Sequence, residues 1–265
     1  MPSFPLLDLP SASRVVDLAQ PLYVGAPHWP THPPFTFSLT RLHGDMVLPG
    51  GGSAAADAIS MGTHVGTHID GLGHFSCCGK FHGGAPVDGN QSYAEGVAVH
   101  PIGAVAPIVR RGVLLDIAAL EGVEVLPEDF VVTPEHLEAA LEGLRIGAGD
   151  VVLIRTGWAK YWHEPRRFMN ELRLPGPRRA GAEWLSARGV FAAGSDTAAF
   201  EFSPSPAMEA HIHLLVERGI HIIECLNLEA LAAERIREFL FAAAPLKIRG
   251  ATGSPIRPFA LCAGR

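Results

Sequence analysis

The second half of the chain carries five short apolar runs with helical patterns between them. The runs are VLLDI (113–117), DVVLIRTG (150–157), VFAAGSD (190–196), IHIIECLNL (220–228) and FLFAAAPLKI (239–248). The first two are brief, rich in β-branched and aliphatic residues and bounded by Gly or Asp, as buried strands are, and the others continue the pattern. TPEHLEAALEGL (133–144) reads as a helix, with Thr133 as N-cap, Pro134 at the first helical position and Glu135 complementing the dipole. GAEWLSARG (181–189) and PAMEAHIHLLVERG (206–219) read as helices closed by glycine, and a further helix is expected near 229–238. This alternation restricts the chain to a mixed α/β class, a central mixed sheet flanked by helices. No repeat, low-complexity tract or long polar linker divides it, so residues 1–265 read as a single domain.

The N-terminal part differs in character. Four prolines in GAPHWPTHPPF (25–35) exclude helix there, and PGGGSAAADAIS (49–60) reads as a loop entering a strand. Function classes narrow by what the composition lacks. The net charge is −6 and no basic run is present, so nucleic acid is not an expected partner. No window approaches the roughly 20 apolar residues of a membrane span. The opening segment MPSFPLLDLPSASRVVDLAQ lacks the basic and apolar regions of a secretory leader. The four cysteines, Cys77, Cys78, Cys225 and Cys262, form no CxxC pair, and free thiols in the cytoplasm are the expectation. Nucleotide-binding loops of the GxGxxG or Walker type do not occur.

Histidine is distributed unevenly. The chain has 13, and three of them share the eleven residues HVGTHIDGLGH (64–74) with an aspartate. Read as a strand, residues 63–70 place His64, Gly66, His68 and Asp70 on one face. A helix would scatter them. Gly66 leaves room between the imidazoles, and the N/N/O donor set suits Zn²⁺, Mn²⁺ or Fe²⁺. Gly71-Leu72-Gly73 then turns the chain and delivers His74, as a further ligand or as a proton-transfer group. Each histidine alone fits an ordinary core or loop position. Four such groups buried together without an ion or full pairing would cost several kcal/mol.

A second cluster lies in HIHLLVERGIHIIE (211–224). His211 falls on a predicted helix and Glu224 on the next strand, with His213 and His221 near. Glu224 interrupts an apolar run, so it needs a buried partner, either a metal ion or an arginine. Trp29 could line a pocket or anchor packing. Arg155-Thr156-Gly157-Trp158 and Asp196 stand at strand ends, where both sites and caps occur. His43, Asp45 and His82 could approach the cluster, whereas Cys77 and Cys78 read as bystanders.

His64-Val-Gly-Thr-His68-Ile-Asp70, continuing to His74, resembles the HxGTHxD…H signature of the metal-dependent cyclase/hydrolase superfamily, which includes bacterial kynurenine formamidases and isatin hydrolases. Trp29-Pro30, Arg155-Thr156-Gly157-Trp158, His211 to Glu224 and APLKIRGATGSPIRPFAL resemble other segments of that family. The resemblance implies a swivelling β/β/α fold, usually a homodimer or homotetramer. It implies one or two divalent ions, Zn or Mn, held by His64, His68, Asp70, His211 and Glu224. It further implies His74 as catalytic acid/base and Trp29 against the substrate. His211 is preferred over His213 on the family spacing. Where formamidase-type members commonly have a proline before the last histidine, this chain has Gly71-Leu72-Gly73.

The expected function is hydrolysis of an amide-type C–N bond in a small aromatic substrate, an N-formyl aryl amine or an isatin-like lactam, by metal-activated water. A cyclase, dehydratase or isomerase using the same site to stabilise an enolate is the alternative, and a non-catalytic metal-binding protein the next.

Overall fold

Helical crossovers carry the chain back to the same end of the sheet before each new strand, and so the central strands run parallel. In the computed structural model, which describes residues 13–263, Ile108–Asp116, Val151–Arg155, Ala192–Ser195 and His221–Glu224 form a parallel set. Antiparallel strands extend it at both edges into a nine-stranded mixed sheet. The order is Ser13–Asp17, Phe259–Ala263, Glu238–Ala243, the parallel four, His68–Asp70 and Gly253–Pro255. The mixed α/β class follows the sequence reading. The first twelve residues of the opening segment, and the ends of the 1–265 domain reading, lie outside the described residues.

Both faces are covered, one by several helices and the other by the short helix Glu229–Ala233 with loops, and the strands show it. Val113, Leu115, Val152, Ile154, Ala193 and Ile222 point into one core with the helices Pro134–Ala139 and Arg179–Ser186. Leu114, Val151, Leu153, Ala192, Ile223 and Ile69 point into the other. Every residue of Val151–Arg155 is buried, as expected of a parallel strand covered on both sides. No described helix is long and apolar enough to cross a membrane.

Several elements differ in extent from their sequence patterns. Thr133 caps its helix with a capping box, but the helix stops at Ala139, and Glu142 and Gly143 follow at φ 45° and 89°. The segment read as a helix over 206–219 starts at Glu209 and becomes π-helical from Ile212 to Arg218, ending at Gly219 with φ 67°. The helix expected near 229–238 is Glu229–Ala233, and the strand after it is Glu238–Ala243. Asp116 closes its strand and caps the next helix through the Ala119 amide. The hairpin Thr36–Arg41/Ala56–Ser60 stands clear of both cores and is exposed over most of its length.

Candidate functional site

The path of HVGTHID differs from a continuous strand. Only His68–Asp70 is extended and paired, and the strand reading of 63–70 is corrected for its first half. The cause is Gly66, whose φ of 70° breaks the two-residue alternation. Thr67 pins the bend: its hydroxyl donates to the Cys225 carbonyl at 2.6 Å and accepts from the Gln20 amide at 2.8 Å. His68 and Asp70 do share one strand face, and Ile69 faces the core. His64 returns from the bend, and its Nδ1 lies 2.7 Å from Asp70 Oδ1. Gly71 and Gly73 pass so near the backbone of Thr252 and Val99 that a Cβ on either would sit under 3.0 Å from a carbonyl oxygen. His74 is thereby stacked on His64, ring centroids 3.9 Å apart. Leu72 packs into the hydrophobic core on one side of the sheet.

The sheet brings the second cluster to the same place. Glu224 ends its parallel strand directly opposite His68. Strand C-terminal ends are where open α/β sheets carry their sites. His68 Nε2 is 3.4 Å from Glu224 Oε2 and 3.5 Å from Asp70 Oδ1. His211 Nε2 is 3.3 Å from Glu224 Oε1 and 4.0 Å from Asp70 Oδ2. Two groups of potential ligand atoms result, His64/Asp70/His74 and Asp70/His211/Glu224, with Asp70 common to both.

Burial sets the electrostatics. It pushes the Asp70 carboxyl up, but His74, His64 and His68 outweigh it and hold Asp70 well below the usual carboxylate range. Burial alone would lower His211; Glu201 and Glu224 raise it to about 10. His74 goes the other way. Burial lowers it to about 3, against Asp70 and with the help of His64 and His211, so its ring is neutral at pH 7.

The donor set fits a divalent ion. Asp70, His211 and Glu224 each bring a ligand atom to within 4.8 Å of the others, a spacing that an ion with ligand bonds of about 2.1 Å would bridge after a small contraction. Glu224 Oε1 is buried with no hydrogen-bond partner, an orphan that an ion would satisfy. His64 is different, since Nδ1 is bonded to Asp70 and Nε2 lies 3.0 Å from the Thr252 hydroxyl. Its ligation requires one of those bonds to open.

The cluster floors a pocket of about 300 Å³. Trp29, His28, His32, Phe75, Phe168 and Met169 line its walls, and Trp29 also packs against a hydrophobic cluster. No lysine or arginine lines it among the described residues. Other candidates fall elsewhere. His213 turns to Glu217 and Ser186, at 2.7 and 2.8 Å. His221 bonds the Asp70 carbonyl, His82 bonds the Val216 carbonyl, and His43 and Asp45 are held in an exposed loop. Cys77 and Cys78 lie outside the pocket lining. Arg155 is paired with Asp116 and Glu229, so it is not the partner of Glu224. Asp196 accepts from the Thr156 amide and hydroxyl and from the Gly157 amide, and burial raises it to about 6 despite those bonds. It is a strand-end cap. Sequence reasoning missed His32, Glu201 and Thr252, which stand in irregular segments with no periodic signal.

Comparison with known proteins agrees with this geometry. The family described as "Putative cyclase" matches residues 16–202. Isatin hydrolase of Roseibium aggregatum is 29% identical over 210 residues, 76% of this chain and 72% of that protein. Kynurenine formamidase of Bacillus cereus is 26% identical over 245 residues, 92% of this chain and 96% of that protein. The crystal structure of a novel cyclase superposes with a TM-score of 0.86 at 30% identity, covering 94% of this chain and 86% of that one. The family match spans more than half of the sequence and contains the whole of HVGTHIDGLGH, and the chain belongs to the cyclase family.

Proposed function

We propose that this protein is a metal-dependent hydrolase that cleaves an amide-type C–N bond in a small, neutral, aromatic substrate. The observation that carries the reading is that Glu224 and the imidazoles of His64, His68, His74 and His211 line an aromatic pocket with the buried Asp70 carboxylate beside them, and that no lysine or arginine lines it among the described residues. His68, Asp70, His211 and Glu224 would hold the ion, and His64 would be a further ligand only with its bond to Asp70 opened. The common Asp70 leaves room for one ion or two, Zn or Mn. Amide cleavage is the reaction of the relatives' names, isatin hydrolase and kynurenine formamidase. No feature of the pocket favours a cyclase or isomerase instead.

The chain's residues divide the work. A divalent ion supplies Lewis acidity toward the carbonyl and acidifies water. Trp29 and Phe75 offer flat apolar faces to an aromatic ring. His74 lines the pocket beside the cluster, where it can accept a proton from the attacking water and return it to the leaving nitrogen, a role typically worth ~10²–10⁴-fold. The stacked His64 ring limits its rotation. With no lysine or arginine among the described lining residues, a substrate carboxylate remote from the metal position has no dedicated partner there. A lactam of the isatin type or a simple N-formyl aryl amine therefore suits the pocket better than an amide bearing an ionised side chain.

Chelation should abolish hydrolysis of both substrate types, and Zn²⁺ or Mn²⁺ should restore it with one solvent ¹⁸O incorporated per turnover. Activity in fully metal-free protein would sink the mechanism, and product without solvent oxygen would sink hydrolysis. The four free cysteines fit a reducing cytoplasm. The exposed hairpin fits a homodimer or homotetramer. It presents Phe37, Leu39 and Ile59 to solvent at 49%, 50% and 61%, and a two-stranded ribbon is marginal alone.

A further inference from the structure

Glu201 is buried beside the cluster, 1% exposed, yet it belongs to neither group of potential ligands. It lies in the irregular segment after the Ala192–Ser195 strand. One oxygen, Oε2, accepts from the Ala210 amide at 2.6 Å. The other, Oε1, has no hydrogen-bond partner and faces His211 Nδ1 at 3.4 Å, and that nitrogen is equally without one. Two buried polar atoms left unpaired and pointed at each other are costly, and a modest approach satisfies both.

The chemistry of imidazole makes this pairing directional. A neutral ring carries one proton, and only the other nitrogen can ligate an ion. A carboxylate is an acceptor, so it holds the proton on the nitrogen facing it. His68 shows the same arrangement with a different acceptor. Its Nδ1 lies 2.9 Å from the Gly66 carbonyl, and its Nε2 faces Glu224. Both histidines thus turn Nε2 toward Glu224 while an oxygen stands behind Nδ1.

We propose that Glu201 is the positioning residue for His211, fixing it as the Nδ1–H tautomer and aiming Nε2 at the metal position between Glu224 and Asp70. The inference rests on the metal-dependent reading above. Metal-bound histidines that lose such an outer partner commonly lose 10–100-fold in metal affinity.

Glu201→Gln is the sharper variant. Its amide oxygen can still accept from Ala210, while its NH₂ group faces His211 Nδ1 and favours the opposite tautomer. The measurement is Zn²⁺ affinity by competition with a chelating dye, with thermal melting of the metal-free protein alongside. Glu201→Gln and Glu201→Ala should bind Zn²⁺ about 10–100-fold more weakly than wild type. Wild-type affinity in a folded variant would overturn the inference and reduce Glu201 to a backbone anchor for Ala210. Failure of the wild-type protein itself to bind Zn²⁺ would remove the metal reading, and this one with it. A second measurement needs no variant. Long-range ¹H–¹⁵N spectra of the Zn²⁺-loaded wild type should show His211 protonated at Nδ1 and ligated through Nε2; ligation through Nδ1 would refute the assignment.

Discussion

Gly253 offers a test of the site that leaves every polar group in place. It is the first residue of the Gly253–Pro255 strand and pairs with Asp70, and its backbone is of a kind that alanine also adopts. A Cβ there would lie 2.3 Å from His64 Cε1 and 2.6 Å from Nε2, whereas ordinary contact begins at 3.4 Å. The ring must therefore retreat by about 1 Å, and it has little room. His74 is stacked on it at 3.9 Å, and Asp70 holds Nδ1 at 2.7 Å. Gly253→Ala should cost roughly 1–3 kcal/mol of stability as overpacking. A misplacement of about 1 Å near reacting groups can cost ~10²-fold in turnover, and that is the expected loss. Steady-state hydrolysis and urea unfolding of the variant measure the two losses, with Zn²⁺ content followed alongside. Gly52→Ala, where a Cβ meets nothing within 4 Å, is the control and should be silent. Unchanged turnover in Gly253→Ala would refute the view that the position of His64 matters.

His74→Ala should retain metal and lose ~10²–10⁴-fold in kcat, the range for a proton-transfer group; loss of metal content instead would make His74 a ligand, as its proximity to His64 and Asp70 allows. Asp196 sets a pH dependence. Its folded pKa of about 6 lies above its ordinary value of 3.8, so its favourable contribution is complete below about pH 3.8 and is lost as pH rises to about 6. Wild type should lose about 3 kcal/mol relative to Asp196→Asn over that window. Urea midpoints at pH 4, 5, 6 and 7 measure it, and parallel profiles for the two proteins would show that Asp196 does not titrate there.

The parallel strands were legible because burial on both faces leaves a plain run of aliphatic residues, as in Val151–Arg155. The cluster was legible from its crowding, although the geometry behind it differs. A strand through 64–70 would put the three side chains on one face, whereas Gly66 bends the chain and Asp70 draws His64 back. Glycine suits both paths, so residue type alone does not choose between them. His211 and His213 diverge in the structure, His211 toward Glu224 and His213 toward Glu217 in the π-helical segment. Apolar spacing does not distinguish that segment from an α-helix. Glu201 gave no signal because its function depends on a fold-dependent encounter with His211 rather than on its neighbours in sequence.

The three-residue strand His68–Asp70 is held on one side by His221–Glu224 and on the other by Gly253–Pro255. His64 meets Thr252 across 188 residues of sequence, and Asp70 meets His221 across 151. A chain emerging from the ribosome thus exposes its histidine motif long before the groups that orient it exist. Loop closure over such separations is slow. The donor cluster is thus assembled by long-range pairing in the sheet rather than by local sequence, in contrast to small metal domains in which the ion itself organises the chain.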